Sequence, residues 1–137
     1  KANAFKLAMV NAAPYIDDRK MSKNKATGCV KVNAKRLPKS AFMDLIQIHT
    51  KQGPVLGSDW TTNPTTGGQI QTHRPYFMDW YIDLPLKWIA ESLTKKQVMQ
   101  YLQQAGACVG VGDWRQQKSG DKGEFEIEDL GDEREII

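Results

Sequence analysis

Residues 94–127, TKKQVMQYLQQAGACVGVGDWRQQKSGDKGEFEI, constrain the fold more than any other stretch, because they read as a helix, a strand, a glycine-rich loop and a returning strand in unbroken order. Thr94 followed by Gln97 has the form of a capping box, in which each side chain satisfies an orphan backbone donor at a helix start. Val98, Leu102 and Ala105 recur at helical spacing and predict one apolar face lying on a sheet. Gly106 falls where a left-handed residue commonly closes a helix. Ala107, Cys108, Val109 and Val111 then predict a strand whose interleaved Gly110 and Gly112 let another backbone or a ligand come close. Phe125 and Ile127 alternate with Glu124, Glu126 and Glu128, the pattern of a strand with one buried and one wet face.

The loop over residues 112–123 offers Trp114 and Arg115 in succession, then Lys118, Gly120, Lys122 and Gly123. An indole can stack on a base, a guanidinium can grip a phosphate through two donors, and glycines let backbone N–H groups reach an anion. A plainer alternative is a twisted hairpin with Trp114 packed at the core edge and Arg115 paired with a nearby acid. Two motif matches fail here. The third position of a dinucleotide fingerprint starting at Gly110 falls on Arg115 and no helix follows, and no glycine precedes a Lys-Ser or Lys-Thr pair at Walker spacing.

Upstream, residues 4–13 place Phe5, Ala8, Met9 and Ala12 on one helical face, with Asn3 as cap and Pro14 as stop. Residues 17–25 read as a polar, mainly positive loop carrying Arg19, Lys20, Lys23 and Lys25, a solvated face or a phosphate contact. Residues 27–32 read as a strand through Cys29, Val30 and Val32. Lys35, Arg36 and Lys39 follow in a loop with Pro38. Residues 41–49 fit either a helix or a strand. Residues 53–68, rich in Gly, Pro and Thr, read as a long loop, with Trp60 as a binding aromatic or an anchor packed back on the core. Residues 69–84 read as an extended edge segment interrupted by Pro75 and followed by a strand. Pro75 keeps Arg74 extended, so that it projects towards a ligand or pairs with Asp79 or Asp83. Residues 85–90 link into the capped helix.

The ordered elements HRPYFMDW, AGACVGVGDWR and GEFEI resemble a family of uncharacterised phage and prophage proteins with the pattern RPxFxxW, AGxxVGxGxWR and GxFxV. Arg74, Pro75, Phe77, Trp80, Ala105, Gly106, Gly110, Gly112, Trp114, Arg115, Gly123 and Phe125 match across about the last half of the chain. Gln116 departs from it, since that family carries proline there. Extended structure in those proteins favours a strand over residues 41–49. The strand, glycine-rich turn and strand also resemble the RAMP proteins, ferredoxin-like RNA binders of CRISPR effector complexes. That likeness implies an RRM-like sheet and RNA contacts from glycine-rich and basic loops.

At 137 residues the expectation is one α+β domain of ferredoxin-like type, a mostly antiparallel sheet with helices on one face, ending in an acidic tail over residues 128–137. The net charge of +3 hides a polarity: residues 17–39 hold eight Lys or Arg against two Asp, and residues 121–135 hold eight acids against two basic residues. Such asymmetry steers an anion, orients self-association, or marks a solvated tail. Cys29 and Cys108 sit in apolar runs and suggest a reducing, cytoplasmic compartment, and no stretch has the length of a membrane span. The start at Lys1 leaves room for a removed N-terminal segment.

His49 and His73 lack neighbours at zinc-ligand spacing, and no nucleophile elbow occurs, so no metal, cofactor or enzymatic activity is predicted. The expected function is binding of single-stranded nucleic acid, RNA before DNA. Arg19, Lys20, Lys35, Arg36, Arg74 and Lys118 would meet phosphates, and Gly110, Gly112, Trp114 and Arg115 would hold a base or backbone. Alternatives are an interaction or self-assembling protein, such as a phage inhibitor of host defence, and a small phosphorylated ligand bound at residues 110–123.

Overall fold

The computed structural model describes residues 1–32, 45–113, 115–120 and 122–131. They form an α+β structure with three helices and two small antiparallel sheets, and divide into two compact units, Lys1–Leu45 with Leu84–Ile137, and Ile46–Asp83. The strand favoured over residues 41–49 falls partly outside the described residues, and residues 45–48 form no ladder.

In the first unit, α1 (Asn3–Ala12) buries Ala8, Met9 and Ala12, the stripe its spacing predicts. Its start differs from expectation. Asn3 is already helical, and the first turn is closed by bonds from the Ala4 and Phe5 N–H groups to the Lys1 and Ala2 carbonyls. Pro14 enters a 3-10 turn, Ala13–Tyr15, at a position where its missing N–H is not needed.

The loop expected through Lys25 and the strand expected over residues 27–32 are both corrected. Ser22 caps α2 (Lys23–Cys29) by accepting from the Lys25 N–H, and β1 is confined to Val30–Val32. Thr27 fits the helix because its hydroxyl donates back to the Lys23 carbonyl at 2.8 Å. β1 pairs antiparallel with β4 (Leu86–Trp88), a strand inside the expected linker. Val30, Leu86 and Trp88 join the core beneath this ladder.

The capping box at Thr94 is present in both halves and starts α3 (Lys95–Gln104), which buries Val98, Tyr101 and Leu102. Gly106 does not close the helix. The chain continues as a π-helical turn, Ala105–Val109, ending at Gly110 with φ +76°. Of the strand expected over residues 107–111, residues 107–109 are therefore a helical extension, and residues 110 and 111 lie in no strand. Within this turn Gly106 lies directly against the Phe125 backbone, where a Cβ would come within 2.0 Å of the Phe125 carbonyl oxygen. Gly123, at φ +79°, likewise passes so close to Val111 that a Cβ would fall 1.8 Å from its carbonyl oxygen. Residues 123–130 keep the expected alternation, with Phe125 and Ile127 half-buried on the core, but join no ladder. Phe125 meets Phe5 edge-on, with ring centroids 5.7 Å apart.

The second unit is built on a hairpin of β2 (Val55–Thr62) and β3 (Gln69–Tyr76), paired without a bulge from Val55↔Tyr76 to Thr62↔Gln69. It replaces most of the long loop expected over residues 53–68. The remaining turn is closed by Asn63, whose N–H donates to Gly68 O and whose side chain accepts from the Thr65 N–H. Pro75 lies inside β3 and not ahead of a strand, which a two-stranded sheet permits because each strand has a free edge. The strand expected after it reduces to one bridge, Tyr81 with His49.

Candidate functional site

The three-residue strands of the first unit both read apolar, lysine, apolar, and their register sets the two lysines side by side. Val30 faces Trp88, Lys31 faces Lys87 and Val32 faces Leu86. Because strand side chains alternate, the apolar pairs turn to the core while Lys31 and Lys87 share the exposed outer face. Neither lysine has an ion pair among the described residues.

Lys6, from α1, lies behind this ladder. Its ammonium donates to the carbonyls of Ala26 at 2.7 Å, Thr27 at 2.8 Å and Val30, filling the C-terminal end of α2 where orphan carbonyls gather. Burial pushes Lys6 below the ordinary lysine range; Cys29 opposes that shift, and the charge of Lys31 adds to it. The field of Lys31 is thus felt by a second cation. Arg19 and Lys20 are exposed in the turn before α2, which is held by Asp18 accepting from the Lys20 N–H at 2.8 Å.

The glycine loop is drawn together by its own residues. The Arg115 guanidinium donates to the Gly112 carbonyl at 2.9 Å and lies 3.4 Å from Gln117 Oε1, so much of its donor set is spent on loop geometry. Gly110 is buried, Gly112 is exposed, and Lys118 is exposed at the end of a 3-10 turn, Gln116–Lys118. Gln116 reaches inward to the Ala107 carbonyl at 3.5 Å, a bond that proline would not make. Its Oε1 is buried without a partner. The expected hairpin is instead a compact turn closed by a bond from the Val111 N–H to Gly123 O and a single bridge between Arg115 and Lys122. Lys35, Arg36 and Trp114 lie outside the described residues.

Arg74 belongs to the second unit, half-buried on β3 opposite Gly57, with the extended backbone that Pro75 requires. The other face of this hairpin is open along its length. Leu56 is 73% and Trp60 64% exposed there, beside Gln71 and a cross-strand bond between Ser58 Oγ and His73 Nδ1 of 2.8 Å. Among the described residues no cluster of three His, Cys, Asp or Glu side chains is placed to hold a metal, and no helix is long and apolar enough to cross a membrane.

Sequence reasoning counted Lys31 within a basic run and left Lys87 in a linker. The signal that finds them is the apolar–lysine–apolar alternation of VKV and LKW, which puts each lysine on the outer face of any strand built there. Comparison with family models, curated proteins and solved structures gives no match to this chain.

Proposed function

We propose that this chain is a non-enzymatic, phage-type protein that binds single-stranded nucleic acid across the outer face of the β1–β4 ladder. The observation that carries the reading is the Lys31–Lys87 pair. Like charges directly opposite one another on a ladder repel and destabilise it, and an anion spanning both relieves that cost. A phosphate backbone offers negative charge at regular intervals and suits such a pair. Arg19 and Lys20 are further exposed cations of the same unit. The preference for RNA, a ferredoxin-like arrangement and a location in the host cytoplasm rest on the resemblance to RAMP and phage proteins. A two-stranded ladder alone suffices to hold the lysines in register.

The test is fluorescence anisotropy of a labelled RNA oligomer and its DNA counterpart at two salt concentrations, with the natural chain and the Lys31→Gln/Lys87→Gln double variant. Removing two phosphate contacts is expected to lower the logarithmic salt slope by roughly 1.4, at about 0.7 for each phosphate neutralised on a single strand. No binding at low salt, or an unchanged slope in the variant, rejects the reading.

A second reading, an interaction or self-assembling protein such as an inhibitor of host defence, is favoured by the open hairpin face with Leu56 and Trp60. Exposed aromatic anchors of this kind dominate many interfaces. A mass that rises with concentration, and stops rising in Trp60→Ser, supports it.

A further inference from the structure

The segments that lead into β2 and out of β3 enclose an open cavity of about 530 Å3 within the second unit, inside the range of roughly 300–1,000 Å3 common for small-ligand sites. Its two walls are tied together. His49 and Tyr81 exchange backbone bonds of 2.9 Å in both directions, and their rings stack with centroids 4.7 Å apart and planes 15° apart. Tyr81 is nevertheless 60% exposed, so the ring face away from His49 is open. Phe77 adds a second aromatic to the lining.

Two opposite charges line the same cavity without pairing to each other. Lys51 sits in a tight turn closed by the Gly53 N–H donating to Thr50 Oγ1 at 2.8 Å, with Gly53 at φ +69°. Asp79 lines the other wall and holds a left-handed backbone at φ +48°. A non-glycine residue in that region is strained, and such strain concentrates at ligand sites. Neither Lys51 nor Asp79 makes an ion pair among the described residues. An aromatic floor, one cation and one carboxylate acceptor together match a planar ring that carries donors on one edge and an anionic substituent.

We propose that this cavity binds a guanine nucleotide unit, with the base stacked on Tyr81, its donor edge on Asp79 and its phosphate on Lys51. Guanine presents N1–H and N2–H side by side, which a carboxylate accepts as a pair. Adenine and cytosine present an amino group beside an acceptor nitrogen, which the same carboxylate repels. The site is independent of the lysine ladder. Its ligand is either a free nucleotide or one residue of a strand, and the chemistry is common to both.

The experiment follows amide chemical shifts of the isotope-labelled full chain during titration with GMP, AMP, guanosine, inorganic phosphate and a short guanine-containing oligomer. Shifts at residues 47–53 and 77–81 are expected with GMP or with the oligomer, the latter alone marking a strand as the source. AMP is expected to bind about tenfold more weakly, a difference near 1.4 kcal/mol. Asp79→Asn is expected to erase the preference for guanine, and Lys51→Met, an exposed change that leaves the hairpin intact, to make GMP and guanosine equivalent. Absence of shifts at these residues with every guanine ligand at millimolar concentration overturns the proposal. So does binding that Tyr81→Leu and Asp79→Asn leave unaltered while the hairpin amide pattern is preserved.

Discussion

The two units of this chain solve the problem of burial in opposite ways. Among the described residues, every fully buried apolar side chain, from Met9 and Met21 to Val98, Tyr101 and Val109, belongs to the first unit, and none of Ile46–Asp83 is fully buried. Ile48, Val55, Leu56, Trp60, Ile70, Phe77, Met78 and Tyr81 are all exposed apolar or aromatic residues of the second unit. An isolated two-stranded hairpin is marginally stable in water, since its backbone bonds barely offset the chain entropy they fix. The difference teaches that the first unit carries the stability of the fold and that the second presents surface.

Substitutions at fully buried positions should separate the units most. Tyr101 is completely buried in α3 and its hydroxyl donates to the Ser22 carbonyl at 2.8 Å, bracing α3 against the start of α2. Tyr101→Ala is expected to cost about 3–5 kcal/mol, as for other large aromatics cut to alanine in a core, measured by denaturant unfolding. A loss below about 1 kcal/mol would break the comparison, because substitutions away from a packed core cost that little.

The same phenol gives a pH signature. Burial raises its pKa above the ordinary 10.0, with the charges of Cys29 and Asp18 adding. The fold therefore retains a proton that the unfolded chain releases. Stability present below pH 10.0 is lost as the pH rises through the folded value, and Tyr101→Phe is expected to flatten that alkaline decline.

Gly123→Ala is expected to cost about 2–4 kcal/mol in the same unfolding assay, combining the left-handed backbone with overpacking against Val111. Thr94→Ala, which removes one half of the capping box, is expected to cost about 1 kcal/mol. Ile70→Ala, on the exposed hairpin, is expected to change stability by less than about 0.5 kcal/mol. A large loss there would show that the second unit has a core after all and erase the contrast.

What could be read from the sequence follows the same division. Thr94 and Gln97 sit three residues apart, so their capping box is a local event and was legible, as was the stripe of Ala8, Met9 and Ala12. The packing of Gly106 was not, because its neighbour is Phe125, nineteen positions further on. The hairpin escaped for a different physical reason. Period-two hydrophobic alternation arises when one face of a sheet meets an apolar core, whereas the more covered face of β3 is only half-buried and carries Thr72, Arg74 and Tyr76. The β-branched Val30 and Val32 marked a strand that is there, but Thr27 to Cys29 before it are helical, with the Thr27 hydroxyl bonded to the Lys23 carbonyl. Of the candidate site, the basic character of residues 17–39 was plain, but the pairing of Lys31 with Lys87 depends on register between strands more than fifty residues apart.

Native-state hydrogen exchange, read amide by amide, tests the division between the units most directly. Amides of α1 and α3 should exchange only through global unfolding, while the ladder amides of β2 and β3 should open locally at a small fraction of that free energy. Equal protection in the hairpin and in α3 would contradict the account.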